Sequence, residues 1–198
     1  MITYTNIQQH NNEDFGAYLQ RPGFSHSYLK QQKGGETPHF EVTDNVTIGK
    51  IVDVILTGNV TPEIYSHKMF EYCQQIANAI KLTFGPVLDA SLKQVAFTAD
   101  MQFGDFVMPS KGILDLLIPK HCVIDLKVTK SKDIRTLIKY MGYENQVWHY
   151  SRLASVSKAY LMVYSIPNKK CELIEVDITA PINNFWCEAI LNFGRVKA

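Results

Sequence analysis

Three short, predominantly apolar runs lie at the middle of the chain, Gln94 to Ala99, Phe106 to Ile118 and Val123 to Val128. Apolar runs of that length bounded by turn residues mark strands, and the short separations between them predict an antiparallel meander. After Val128 the period becomes helical. Ile134, Leu137, Ile138 and Met141 form one stripe, and Tyr143, Val147 and Tyr150 continue an adjacent one, so a helix is expected from Ser131, as N-cap, to about Leu153. Ala159 to Ser165 and Glu172 to Asp177 read as two more strands, and Pro181 precedes a last helix through Leu191. Upstream, a helix over Gly49 to Leu56 closes at Thr57-Gly58-Asn59, and Pro62 opens a second that runs to about Thr83 before Gly85-Pro86 interrupts it.

Residues 1–45 lack this periodicity and carry the breaks Arg21-Pro22-Gly23 and Gly34-Gly35, so they are expected to form an N-terminal arm with one short helix from Ser27 to Gln32. Residues 46–198 read as a single α/β domain, a central mixed β-sheet flanked by helices. A length of 198 residues with 46% hydrophobic and 20% charged positions suits one globular domain. No apolar run reaches transmembrane length, and Met1-Ile2-Thr3-Tyr4-Thr5-Asn6 lacks the basic and apolar regions of a signal peptide, so a cytoplasmic location is expected. Cys73, Cys122, Cys171 and Cys187 are widely separated, which argues against a zinc site and for reduced thiols.

Two of the predicted strands carry an aspartate inside an apolar run. Asp115 lies in Gly112-Ile113-Leu114-Asp115-Leu116-Leu117-Ile118 and Asp125 in Val123-Ile124-Asp125-Leu126-Lys127-Val128, joined by a Pro119-Lys120-His121 turn. A carboxylate there is disfavoured by propensity and by desolvation unless it is paired or binds metal. One such residue could mark a bulge or a sheet end. Two in adjacent strands can reach one divalent cation, and Lys127 at i+2 from Asp125 shares its face. On the following helix, Gln146 and Tyr150 are four apart and also share a face.

In that order and at those separations, Gly112-x-x-Asp115, Asp125-x-Lys127 and Gly142-Tyr143-x-x-Gln146-x-x-x-Tyr150 resemble the motifs of the PD-(D/E)XK nucleases, in particular the RecB-like branch and its RecE-type phage and prophage exodeoxyribonucleases, relatives of lambda exonuclease. Ser25-His26-Ser27-Tyr28-Leu29-Lys30 is similar to a short opening motif of the same group. The resemblance implies a restriction-endonuclease-like core and one or two Mg²⁺ or Mn²⁺ ions held by Asp115, Asp125 and the Leu126 carbonyl. In that branch a helix upstream supplies a histidine or an acid as a further ligand. Here Asp53 falls at that place, although a solvent-facing helix acid would look the same.

The resemblance further implies hydrolysis of DNA phosphodiesters, with charge stabilised by the cations, Lys127 assisting electrostatically, and Gln146 and Tyr150 holding the lysine, the water or a phosphate oxygen. A 5′→3′ exonuclease on linear duplex DNA in phage-type recombination is the expected activity. An endonuclease or junction resolvase on the same core, or a DNA-binding module without activity, are the alternatives. A single-strand annealing partner and a ring-shaped homo-oligomer are expected by the same analogy.

The formal net charge is only +1. Its distribution is more informative, because Lys111, Lys130, Lys132, Arg135 and Lys139 cluster around the candidate site and could hold DNA phosphates. A solvated helix face would account equally for Lys132, Arg135 and Lys139.

Overall fold

The computed structural model describes residues 1–11, 15–32, 44–58, 66–180 and 183–197. Its frame is one six-stranded mixed sheet in sequential order, β1 (Thr3–His10), β2 (Leu92–Phe103), β3 (Phe106–Ile118), β4 (Cys122–Thr129), β5 (Lys158–Ser165) and β6 (Lys170–Val176). All neighbours run antiparallel except β4 and β5, which are parallel. A parallel pair needs a crossover, and α5 (Ile134–Met141) and α6 (Tyr143–Leu153) supply it. The remaining helices are α1 (Phe15–Gln20), α2 (His26–Gln32), α3 (Asp44–Thr57), α4 (His67–Ala90) and α7 (Asn184–Lys197).

The sheet separates two apolar cores. One gathers Phe97, Met108, Leu114, Val147, Trp148, Leu153 and Trp186 between the strands and α6 and α7; the other gathers Ile51, Val52, Ile76 and Ile80 of α3 and α4 with Leu116, Ile124 and Met162. This six-stranded mixed sheet flanked by helices is compatible with a restriction-endonuclease-like core.

Three sequence expectations are corrected. The segment read as an N-terminal arm supplies β1, because Thr3–His10 pairs with β2 along an exposed edge whose register is broken by a bulge between Thr5 and Gln8. The helix expected from Ser131 to Leu153 is two helices. Gly142 adopts a left-handed conformation (φ 68°) that stops α5 and starts α6. The N-cap of α5 is Asp133, whose side chain accepts the Thr136 N–H at 3.0 Å, while Ser131 Oγ donates to the Asp133 carbonyl. The interruption expected at Gly85-Pro86 is present as a kink at Phe84 (φ −125°, ψ 21°), after which α4 resumes to Ala90. Gly34-Gly35, Asn59, Pro62 and Pro181 lie outside the described residues.

Candidate active site

The β3–β4 ladder is short. It joins Ile118 to Cys122, Leu117 to Val123 and Leu116 to Ile124, then stops. The next positions in that register are Asp115 and Asp125, so the two acids oppose each other where the strands part. Asp115 Oδ2 accepts the Leu126 N–H at 2.8 Å, satisfying a strand donor that the split takes from the ladder.

Asp125 is the buried member of the pair, with its side chain 1% exposed. Lys127 Nζ stands 2.5 Å from Asp125 Oδ2 as an ion pair, and no other group among the described residues donates to either Asp125 oxygen. Burying a carboxylate costs several kcal/mol unless its lone pairs are satisfied, and a single ion contact leaves most of them unused. The same Lys127 ammonium lies 5.0 Å from the centroid of the Tyr143 ring.

Asp53 comes from α3, whose apolar face belongs to the opposite core. Gln94 of β2 donates through Nε2 to both of its oxygens, at 3.2 and 3.1 Å. Burial pushes Asp53 up to about 6, and Asp125 adds to the rise against the pull of Lys127 and Gln94. Asp115 is raised by burial and then by the charges of Asp53 and Asp125. For Lys127, burial acts downward, but Asp125 and Asp115 outweigh it and leave the ammonium harder to deprotonate than usual.

Asp53 and Asp115, each raised by the charges of neighbouring carboxylates, and Asp125, whose buried oxygens meet only Lys127, are a hard-oxygen set that suits a divalent cation such as Mg²⁺ or Mn²⁺. No three His, Cys, Asp or Glu side chains among the described residues close into a cage by themselves. A pair of acids with the Leu126 carbonyl could hold such an ion, water and substrate oxygens completing its shell.

On α6, Gln146 Nε2 donates to the Tyr150 hydroxyl at 2.8 Å. Burial, followed by the charges of Asp125 and Asp115, holds that phenol well above its ordinary range. Gly112 makes room for it: a β-carbon there would lie 2.8 Å from Tyr150 Cε1 and 3.1 Å from Leu153 Cδ1. Beside these residues a cavity of about 460 Å³ is lined by Lys127, Tyr143, Gln146 and, from α2, His26, Ser27 and Lys30. Lys30 Nζ is fixed against the end of α5 by a 2.7 Å bond to the Met141 carbonyl.

The structure thus brings Asp53, Asp115, Asp125 and Lys127 together, with Gln146 at the cavity wall and Tyr150 sensing both central acids. Lys130, Lys132, Arg135 and Lys139 lie exposed on the loop after β4 and on α5. Lys111, expected to meet DNA, is instead buried against α1. It is 9% exposed, and its Nζ donates to the carbonyls of Tyr18, Leu19 and Arg21 at 3.2, 3.0 and 2.8 Å while lying over the Tyr18 ring, so it ties the end of α1 to β3. Sequence reasoning missed Gln94, the ring of Tyr143 under Lys127, and the contribution of His26 and Lys30 to the cavity. The Ser25-to-Lys30 motif signalled His26 and Lys30, and the Gly142-Tyr143 motif contained Tyr143; nothing signalled Gln94.

No family model and no curated protein matches this sequence. Among solved structures, that of a candidate exonuclease from Eubacterium rectale superposes over 92% of this chain and 76% of its own, with a TM-score of 0.59 at 22% identity. The crystal structure of SSO0001 covers 84% of this chain and 81% of its own at 17% identity, with a TM-score of 0.43. The first likeness shows a shared fold.

Proposed function

We propose that this chain is a Mg²⁺- or Mn²⁺-dependent DNA nuclease, acting as a 5′→3′ exonuclease on linear duplex DNA in phage-type recombination. The observation that carries the reading is the split between β3 and β4, where Asp115, Asp125 and Lys127 meet Asp53 and the buried Asp125 carboxylate meets no donor but Lys127 among the described residues. A bound cation would supply charge stabilisation at the phosphate and a more acidic water. Asp115 and Asp125, with Asp53 and the Leu126 carbonyl, would hold it.

Lys127 stays protonated between two carboxylates, so its role is electrostatic: it offers an ammonium to the phosphate oxygen that gains charge. Gln146 orients the Tyr150 hydroxyl, whose proton is left for the reacting groups. The cavity beside Lys127 presents Lys30, Ser27 and Gln146, donors of the kind that hold a phosphate. Lys130, Lys132, Arg135 and Lys139 grip the duplex backbone further out. Polarity, an annealing-protein partner and a ring-shaped oligomer are carried over from the motif resemblance, and the name of the E. rectale neighbour agrees with exonuclease action.

The test is incubation of linear and covalently closed circular duplex DNA with the protein, in Mg²⁺ and in EDTA. Linear DNA should be consumed from the 5′ end in Mg²⁺ alone and the circle left intact. Nicking of the circle would instead mark an endonuclease. A gel shift without cleavage in either form would mark a binding module.

A further inference from the structure

Every β2 residue from Leu92 to Phe103 is paired with β3 except one, Gln94. In that register Gln94 stands opposite Asp115, which itself stands opposite Asp125 across the split, so three polar positions form a row over three strands. Gln94 also has φ 51°, in the left-handed region that a residue with a β-carbon enters at a cost. A glutamine has no local reason to adopt that conformation within a strand. The compensation visible in the structure is its side-chain amide, whose Nε2 donates to both oxygens of Asp53. Asp53 reaches the site from a separate helix, so without a tether its carboxylate would be placed by the packing of α3 alone.

We propose that Gln94 is the positioning residue that fixes the Asp53 carboxylate for cation binding, a role that rests on the metal-dependent reading above. Each carboxylate oxygen has two lone pairs. Gln94 engages one on each and leaves the others for a cation. Partners that orient a ligand in this way typically change metal affinity by about 10–100-fold when removed.

The conformation of Gln94 provides a variant in which folding and positioning move apart. Gln94→Gly removes the amide but accepts φ 51° without strain. Titration of the full chain with Mn²⁺ alone, read by the electron paramagnetic resonance of the free ion, should show binding weakened about tenfold. The thermal midpoint of the metal-free protein should be unchanged or higher. The Mg²⁺ concentration for half-maximal cleavage should rise by the same factor, with the rate at saturating Mg²⁺ near that of the wild type. Gln94→Leu, which keeps the bulk, should weaken Mn²⁺ binding alike. In an Asp53→Asn background neither change should weaken binding further. Wild-type Mn²⁺ affinity in Gln94→Gly, or an equal loss with and without Asp53→Asn, would overturn the assignment. Failure of the wild-type protein to bind Mn²⁺ would overturn the metal-dependent reading itself.

Discussion

Asp115 accepts the Leu126 N–H at 2.8 Å, one step beyond Leu116 and Ile124, the last paired residues of β3 and β4. A side chain has replaced a ladder bond, so the strands part without stranding a buried donor. The two central acids therefore differ in structural role: Asp115 stabilises the opening, and Asp125 stands inside it with Lys127 as its one partner among the described residues.

That difference predicts opposite stability changes for two inactivating substitutions. Asp125→Ala and Asp115→Ala should both abolish cleavage. In metal-free buffer Asp125→Ala should keep or gain stability, because it removes a charge that raises its neighbours. Asp115→Ala strands the Leu126 N–H and should lose about 1–3 kcal/mol. Chemical denaturation of both variants measures this, and equal stabilities would contradict the assigned roles.

Lys127→Ala should lose the single-turnover rate by several powers of ten while DNA affinity changes little, since one phosphate contact among many carries a small share of binding. Replacing Lys132, Arg135 and Lys139 together by Ala should weaken binding, flatten its dependence on salt and spare the rate at saturating DNA. A normal rate in the first variant or an unchanged salt slope in the second would refute the division.

Lys111→Ala should behave as a folding defect. Three carbonyls at the end of α1 lose their common donor, at a cost of about 2–3 kcal/mol, and the salt slope of DNA binding should remain that of the wild type. A reduced slope would return Lys111 to the DNA surface.

Gly112→Ala would place a methyl group 2.8 Å from the Tyr150 ring. Tyr150 is 8% exposed and has little room to retreat, so the substitution should cost about 1–3 kcal/mol and slow cleavage by displacing the hydroxyl that Gln146 holds. Thermal melts and rates showing no change would mean that the ring shifts freely.

Acid should destabilise the fold through two buried histidines. Burial lowers His149 to about 3 and His26 to about 4, both below the ordinary 6.5. A base depressed in the folded state contributes stability that is complete above about pH 6.5 and is lost as pH falls toward the folded values. For His26 alone the loss by about pH 4 is on the order of 3 kcal/mol. Asp53, raised to about 6, works in the opposite direction and offsets part of it. His149 stacks on Trp186 with ring centroids 4.1 Å apart, so His149→Phe keeps an aromatic there and should flatten the pH dependence of stability between about pH 7 and pH 4. The wild-type slope in that variant would show that His149 titrates normally.

The sequence alone determined the local elements. Short apolar runs bounded by turn residues located β2 to β6 to within a few residues, and strand phase put Asp125 and Lys127 on one face, because alternation of side chains is a property of a single strand. β1 was illegible, since an edge strand that buries almost nothing shows no alternation. The four-residue spacing of Gln146 and Tyr150 likewise survived the break at Gly142, which lies outside it.

Only the tertiary structure decided what those residues meet. The β3–β4 split, the Gln94 amide on Asp53, the Tyr143 ring by Lys127 and the burial of Lys111 among carbonyls of α1 all join positions far apart in the chain. Charge in a sequence is the same whether an ammonium faces solvent or a helix end. Which it faces is fixed by the packing of distant segments, and that packing leaves no periodic trace in the order of residues.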